Sequence, residues 1–226
     1  MKRLLLTLVV AAATLYWSYG QQSATVTDSS KYVPYWWHSK DMYDHLPDTR
    51  DEIVFLGNSI TDGAEWSELF GNRKCRNRGI SGDVTEGVLF RLDAVTRLKP
   101  AKIFIMIGVN DLSRNMTVDE IVFNYRAILE RIRKETPKTK VYVESVLPVN
   151  PATGYALNHT NKTDLIIELN GRLKALASEF GHTYIDLFSV MADKDNHLPR
   201  RYSIDGLHLS YEGYRVWAET IKEFVR

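Results

Sequence analysis

Ile53-Val54-Phe55-Leu56-Gly57-Asn58-Ser59-Ile60-Thr61 is the stretch from which the architecture follows. Four apolar residues in unbroken succession, closed by a glycine, mark a strand buried on both faces, because a strand with one wet face alternates apolar with polar side chains. The serine just beyond it is placed to open a helix, which the sequence carries through Glu65–Phe70. Similar runs recur at Ile103-Phe104-Ile105-Met106-Ile107, at Val141 to Val146 and at Tyr184 to Leu187, with a weaker one from Lys74 to Ile80. Helical periodicity fills the intervals. Val84 to Leu92 fits a helix with Asp83 as a candidate N-cap. Val118 to Arg133 places Ile121, Val122, Tyr125, Ile128, Leu129 and Ile132 on one stripe, and Leu165 to Phe180 does the same with Leu169, Leu173 and Leu176. A last helix starts near Tyr211. The alternation predicts an α/β chain with a central parallel sheet of about five strands and helices on both faces.

Ligands of such sheets bind beyond the carboxyl ends of the strands. Four motifs, each expected at the end of a predicted strand, carry the chemistry: Gly57 to Thr61, Asn77 to Asp83, Gly108-Val109-Asn110-Asp111 and Asp205-Gly206-Leu207-His208. The first and third follow strands directly and the second follows the weaker one, so loops remote in sequence meet at one edge.

A serine hydroxyl is a poor nucleophile until a base takes its proton. His208 is the candidate base, since Asp205 three residues earlier can hold Nδ1–H and leave Nε2 for Ser59. Gly206 gives the backbone freedom for that turn. The N–H groups of Ser59 and Gly82 and the side-chain amide of Asn110 are candidate donors to an oxyanion. Each motif alone has a plainer reading: a capping serine for the first, tight turns for the second and fourth, an Asx-turn for the third. The four together form the inventory for hydrolysing an ester through an acyl-serine.

These residues resemble the SGNH superfamily of GDSL-type esterases and lipases, over the chain from about Asp51 to its end. The run Ile53 to Leu69, Asn77 to Asp83 with Arg91-Leu92, and Ile107 to Asn110 look most like the platelet-activating-factor acetylhydrolase-like branch. The resemblance implies a flavodoxin-like three-layer α/β/α sandwich, no metal and no cofactor. It implies Ser59 as nucleophile, Asp205 and His208 as the rest of a triad, and an oxyanion hole of Ser59, Gly82 and Asn110. Asn58 stands where many members have Asp, which implies altered hydrogen bonding behind the nucleophile with activity retained. The implied activity is removal of short acyl groups, acetyl above all, from a small-molecule or glycan ester. A lipid-directed, lysophospholipase-like acylhydrolase and a non-catalytic carbohydrate-binding homologue are the competing readings.

The chain's 226 residues suffice for one sizeable α/β domain, expected at 51–226. A net charge of +1 offers no footprint for a polyanion, so no nucleic-acid partner is expected. Lys2-Arg3, the apolar run Leu4 to Leu15 and the small residues of Ser18-Tyr19-Gly20 read as a secretory signal over 1–20. The run is too short to span a bilayer comfortably, so the expected product is secreted or periplasmic, without a stable membrane span after cleavage. Residues 21–50 read as a linker followed by an aromatic segment, Tyr32 to His38, that packs on the domain or forms a lip of the site. Cys75 is the chain's one cysteine, which excludes an internal disulfide. His38, His45, His159, His182 and His197 show no ligand spacing and read as surface or packing residues. Pro148 to Asn161, with Asn150, Tyr155 and His159, is either a pocket wall or an exposed connection. Arg78, Arg200, Arg201 and Tyr202 either contact an acidic substrate or are solvated.

Overall fold

The computed structural model describes residues 32–226; the signal over 1–20 and the linker over 21–30 lie outside the described residues. Strands β1 (Ile53–Gly57), β2 (Cys75–Gly79), β3 (Lys102–Met106), β4 (Lys140–Glu144) and β5 (Thr183–Ile185) form one sheet in the order β2-β1-β3-β4-β5. Every pairing is parallel. The register sets Gly57 opposite both Gly79 and Met106, so the carboxyl ends of β2, β1 and β3 lie level. This alignment brings the first three motifs to one edge.

The two faces of the sheet are covered differently. Phe55, Phe104 and Tyr142 are register partners on neighbouring strands and stack in a row, with centroids 5.1 and 4.5 Å apart. Trp66 lies flat on Phe55 at 4.0 Å, and Trp217 meets Trp66 edge-on at 4.8 Å. Helices Trp66–Leu69 and Tyr211–Val225 thereby cover this face. On the other side, helix Val118–Glu135 packs against helices Thr85–Phe90 and Thr163–Glu179, and the Tyr125 hydroxyl donates to the Ile105 carbonyl of β3. Helix Val118–Glu135 begins in a reciprocal capping box of Thr117 and Glu120, and its whole predicted stripe is buried.

Four expectations need correction. The segment after Ser59 forms two short helices, Ser59–Asp62 and Trp66–Leu69, in place of a single continuous one. The helix expected over Val84 to Leu92 stops at Phe90, and a further turn covers Asp93–Thr96. Asp83 is not its cap: Val84 holds that position, and the Asp83 carboxylate is fully buried in an ion pair. The fourth motif is not at a strand end; β5 stops at Ile185, and Asp205 to His208 belong to the loop before the last helix.

The aromatic segment starts helix Pro34–His45, with proline preset for the first turn. Trp36 is buried, stacked on Tyr32 at 4.2 Å, and its indole N–H donates to Asp83 at 2.8 Å. This helix therefore reaches the turn that carries Gly82.

Candidate active site

Ser59 is the first residue of its helix, with Asn58 as N-cap. The buried Asn58 side chain accepts from Ile60 N–H at 3.0 Å, a bond that either an amide or a carboxylate oxygen can make. Asn77 of β2 clamps the same turn. Its amide nitrogen donates to the carbonyls of Thr61, Asp62 and Ala64 at 2.9–3.0 Å, and its oxygen accepts from Gly79 N–H at 2.8 Å. Tyr214 of the last helix adds a bond to the Ile60 carbonyl at 2.8 Å.

Ser59 Oγ stands 3.0 Å from His208 Nε2, and His208 Nδ1 stands 2.7 Å from Asp205 Oδ2. The other Asp205 oxygen accepts from the N–H groups of Leu207 and His208 at 2.9 and 2.8 Å and from the Ser203 hydroxyl at 3.2 Å. Partial burial pushes the Asp205 carboxyl up, but the His208 ring and these two N–H groups outweigh it and bring the pKa down to about 2. The carboxylate is therefore ionised at any ordinary pH and fixes the ring with Nε2 toward serine. Gly206 has φ +81°, and a Cβ there would lie 2.4 Å from the Asn150 carbonyl, so the turn needs glycine on two grounds.

Gly82 sits in the turn Ile80–Asp83, closed by Asp83 N–H to the Ile80 carbonyl at 3.0 Å. Its φ of +80° at the third position is the requirement of a type II turn. A Cβ at Gly82 would meet nothing within 4 Å, so backbone conformation, not crowding, selects glycine here. Among the described residues the N–H groups of Ser59 and Gly82 make no hydrogen bond. The Arg114 guanidinium holds the Gly82 carbonyl at 2.7 Å.

Asn110 is buried, and its amide nitrogen donates to the Asp83 carbonyl at 2.8 Å. An amide has two N–H bonds, so one remains. The next residue, Asp111, is wholly buried and accepts from the N–H and hydroxyl of Thr85 at 2.9 and 2.5 Å. Burial pushes its carboxyl up to about 6 against the pull of those two bonds.

Beneath these loops lies a buried ion pair, Asp83 with Arg91 at 2.7 Å, both side chains fully inaccessible. Arg91 also donates to the carbonyls of Gly57 and Arg78 at 3.0 and 2.9 Å, joining the carboxyl ends of β1 and β2. Removing one partner of such a pair costs about 3–5 kcal/mol, so the platform of the first two motifs rests on it.

The structure thus brings Ser59, Gly82, Asn110, Asp205 and His208 to one edge. The segment Pro148 to Asn161 lies against them: Asn150 N–H donates to the Gly206 carbonyl at 2.9 Å, and Thr153 Oγ to the Asp205 carbonyl at 2.8 Å. Arg78 is not at the site; it is buried, donates to the Asn77 carbonyl and lies over the Tyr43 ring at 4.8 Å. Arg200 and Arg201 are exposed, and Arg201 covers the Tyr202 ring at 4.6 Å. His159 is neither a surface nor a packing residue: its Nε2 lies 3.1 Å from Asn110 Oδ1. The network of Asp83, Arg91 and Asp111 is invisible to motif reading, although an arginine inside the apolar stretch Val84 to Leu92 is a signal for it. Among the described residues no three His, Cys, Asp or Glu side chains cluster at metal-binding distance.

The model of the GDSL-like lipase/acylhydrolase family matches residues 55–216. Platelet-activating factor acetylhydrolase IB subunit alpha1 of Bos taurus is 28% identical over 178 residues, spanning 74% of this chain and 72% of the relative. Subunit alpha2 of Rattus norvegicus is 25% identical over 184 residues, spanning 79% and 77%. A GDSL-like lipase from Bacteroides thetaiotaomicron superposes with a TM-score of 0.73 at 26% identity, over 84% of this chain and 96% of that one.

Proposed function

The chain belongs to the GDSL-like lipase/acylhydrolase family and is a carboxylic ester hydrolase, and from that premise we propose that it works through an acyl-serine on Ser59 with a preference for short acyl groups such as acetyl. The observation that carries the reading is the unbroken chain from Ser59 Oγ to His208 at 3.0 Å and from His208 to Asp205 at 2.7 Å.

In the first half-reaction Ser59 Oγ bonds to the acyl carbon while its proton passes to His208 Nε2. The carbonyl π pair moves onto oxygen, where the N–H groups of Ser59 and Gly82 and the free N–H of Asn110 receive it. A single such donor lowers the barrier by about 2.7–4 kcal/mol. Collapse of the tetrahedral species expels the alcohol oxygen, which takes the proton from His208. Water then repeats the sequence on the acyl-serine, giving the carboxylic acid and restoring Ser59. Asp205 stays ionised throughout and balances the imidazolium charge.

Support for short chains comes from the acetylhydrolase relatives. Acetylated glycans follow as a substrate class from the proposed export through Lys2-Arg3 and Leu4 to Leu15. No described helix is long and apolar enough to cross a membrane. A lipid-directed acylhydrolase is the second reading, favoured by exposed apolar side chains on the two segments that frame the site: Ile204 beside Asp205, and Tyr155 and Leu157 near His159. Initial rates on p-nitrophenyl acetate, butyrate and octanoate, with Ser59→Ala alongside, separate the readings. Acetate should be fastest and Ser59→Ala inactive. Faster octanoate turnover selects the lipid reading, and substantial turnover by the pure variant removes Ser59 as nucleophile.

A further inference from the structure

We propose that His159 is a positioning residue for the oxyanion hole, fixing the Asn110 amide so that its second N–H faces the reacting carbonyl oxygen. The inference rests on the reading of Asn110 as an oxyanion donor.

Hydrogen-bond logic determines the arrangement. The Asp83 carbonyl can only accept, so the Asn110 group 2.8 Å from it is the amide nitrogen. Asn110 Oδ1 then faces the other way, toward His159 Nε2 at 3.1 Å. An oxygen can only accept, so that ring nitrogen carries the proton. Each assignment forces the next, which settles both the amide flip and the tautomer from one backbone carbonyl. Burial first, then the charges of His208 and Arg114, push His159 below the ordinary histidine range. The ring is neutral at neutral pH, with its one N–H used on Asn110.

The Asp83 carbonyl cannot do this alone. One hydrogen bond leaves the Asn110 side chain a hinge about the line to Asp83, and the second N–H sweeps with it. A bond to Oδ1 closes that freedom and polarises the amide, which strengthens both of its N–H donors. Preorganised donors stabilise developing charge without reorganising during the reaction, whereas a swinging donor must be ordered in the transition state.

The surroundings hold His159 for this task. It lies on a single helical turn, Leu157–Thr160, entered through Ala156 with φ +46°, an uncommon conformation for a residue with a Cβ. The Thr160 hydroxyl ties that turn to the Tyr155 carbonyl at 3.0 Å. The same segment is fastened to the Asp205 loop by Asn150 and Thr153. One segment therefore touches both the loop of the base and the side chain of the oxyanion donor.

The test is kcat and KM on p-nitrophenyl acetate for Asn110→Ala, His159→Phe, His159→Gln and the double variant Asn110→Ala/His159→Phe, with thermal midpoints as folding control. Phenylalanine keeps the ring volume without a donor; glutamine restores an N–H that can reach Oδ1. Asn110→Ala should lower kcat by about 10²–10³. His159→Phe should lower it by about tenfold or more with KM little changed, a fraction of the loss of the whole donor. His159→Gln should recover most of that loss, and the double variant should be no slower than Asn110→Ala. A double variant slower by the product of the two single effects overturns the inference, since His159 would then act apart from Asn110. A normal kcat for His159→Phe beside an impaired Asn110→Ala also overturns it, leaving the oxyanion reading in place. A normal rate for Asn110→Ala overturns the oxyanion reading itself.

Discussion

Glu144→Gln should make the protein more stable at neutral and alkaline pH and leave that advantage behind at acid pH. Glu144 ends β4, is almost wholly buried, and accepts from the Trp217 indole N–H at 2.7 Å. Burial is the main cause that pushes its carboxyl up to about 8 from an ordinary value of 4.5; the Trp217 bond opposes it only in part. The native state therefore holds a proton that the unfolded chain releases above pH 4.5. Stability contributed by this group falls as pH rises from about 4.5 to about 8, because the native state binds more protons than the unfolded one. At pH 7 the window crossed is about 2.5 pH units at 1.36 kcal/mol each, about 3 kcal/mol lost relative to acid pH. Glutamine keeps an oxygen for Trp217 and does not titrate. Its NH₂ group costs about 1–3 kcal/mol if it finds no partner, but that cost is independent of pH. The quantity to read is therefore the difference between variant and wild type across pH, from urea midpoints between pH 5 and 8. The difference should move in favour of Glu144→Gln by about 3 kcal/mol over that range, or roughly 6–12 °C in thermal midpoint for a chain of this size. Parallel stability curves for the two proteins would refute the argument, since they would mean that Glu144 is already ionised in the fold.

Arg91→Met should destabilise by about 3–5 kcal/mol, because it strands the buried Asp83 carboxylate; a urea midpoint near wild type would show that Asp83 protonates at little cost. Gly206→Ala should lose more activity than stability. Its Cβ would press on the Asn150 carbonyl at 2.4 Å and on Thr153 Oγ at 2.8 Å, pushing the Asp205 loop off the segment that braces it, and kcat alongside the thermal midpoint checks this. Asp205, held down at about 2, should put no limb on the pH profile of kcat/KM above pH 4. A carboxyl carbon resonance of Asp205 that titrates above pH 4 would refute this.

What the sequence discloses follows from how far apart the interacting residues are. Strand β1 is legible because Ile53 to Leu56 are buried for a reason internal to the run, and helix Val118–Glu135 because its stripe repeats within the helix. Asp205 and His208 are legible because only two residues separate them, and Gly82 because a turn of this type demands a left-handed residue at that position. The misreadings share another cause. Asp83 looks like a cap because capping is a local role, yet its carboxylate answers to Arg91 and Trp36, neither of them in the turn. His159 looks like surface because its partner lies 49 residues away on another loop. The helix expected over Val84 to Leu92 breaks where Arg91 turns inward, a choice set by the Gly57 and Arg78 carbonyls.

Asp83 shows why those long-range bonds belong to the site and are not incidental support. Its backbone N–H closes the turn that presents Gly82, and its backbone carbonyl orients the amide of Asn110. Its carboxylate holds Arg91, which in turn grips the end of the strand that leads to Ser59. All three proposed oxyanion donors are therefore referenced to one residue. The helix Pro34–His45 enters the same point through Trp36. Loss of Trp36 should reach the proposed oxyanion hole as well as the core: Trp36→Phe removes the indole N–H while keeping an aromatic ring against Tyr32 and Phe90. Stability should fall by about 1–3 kcal/mol for the bond lost to a buried charge. If the common reference matters, kcat on a fast ester should fall too, with KM unchanged. A stability loss with kcat intact would mean that Arg91 and the Val84 N–H hold Asp83 without Trp36, and that the aromatic helix contributes packing and nothing to catalysis.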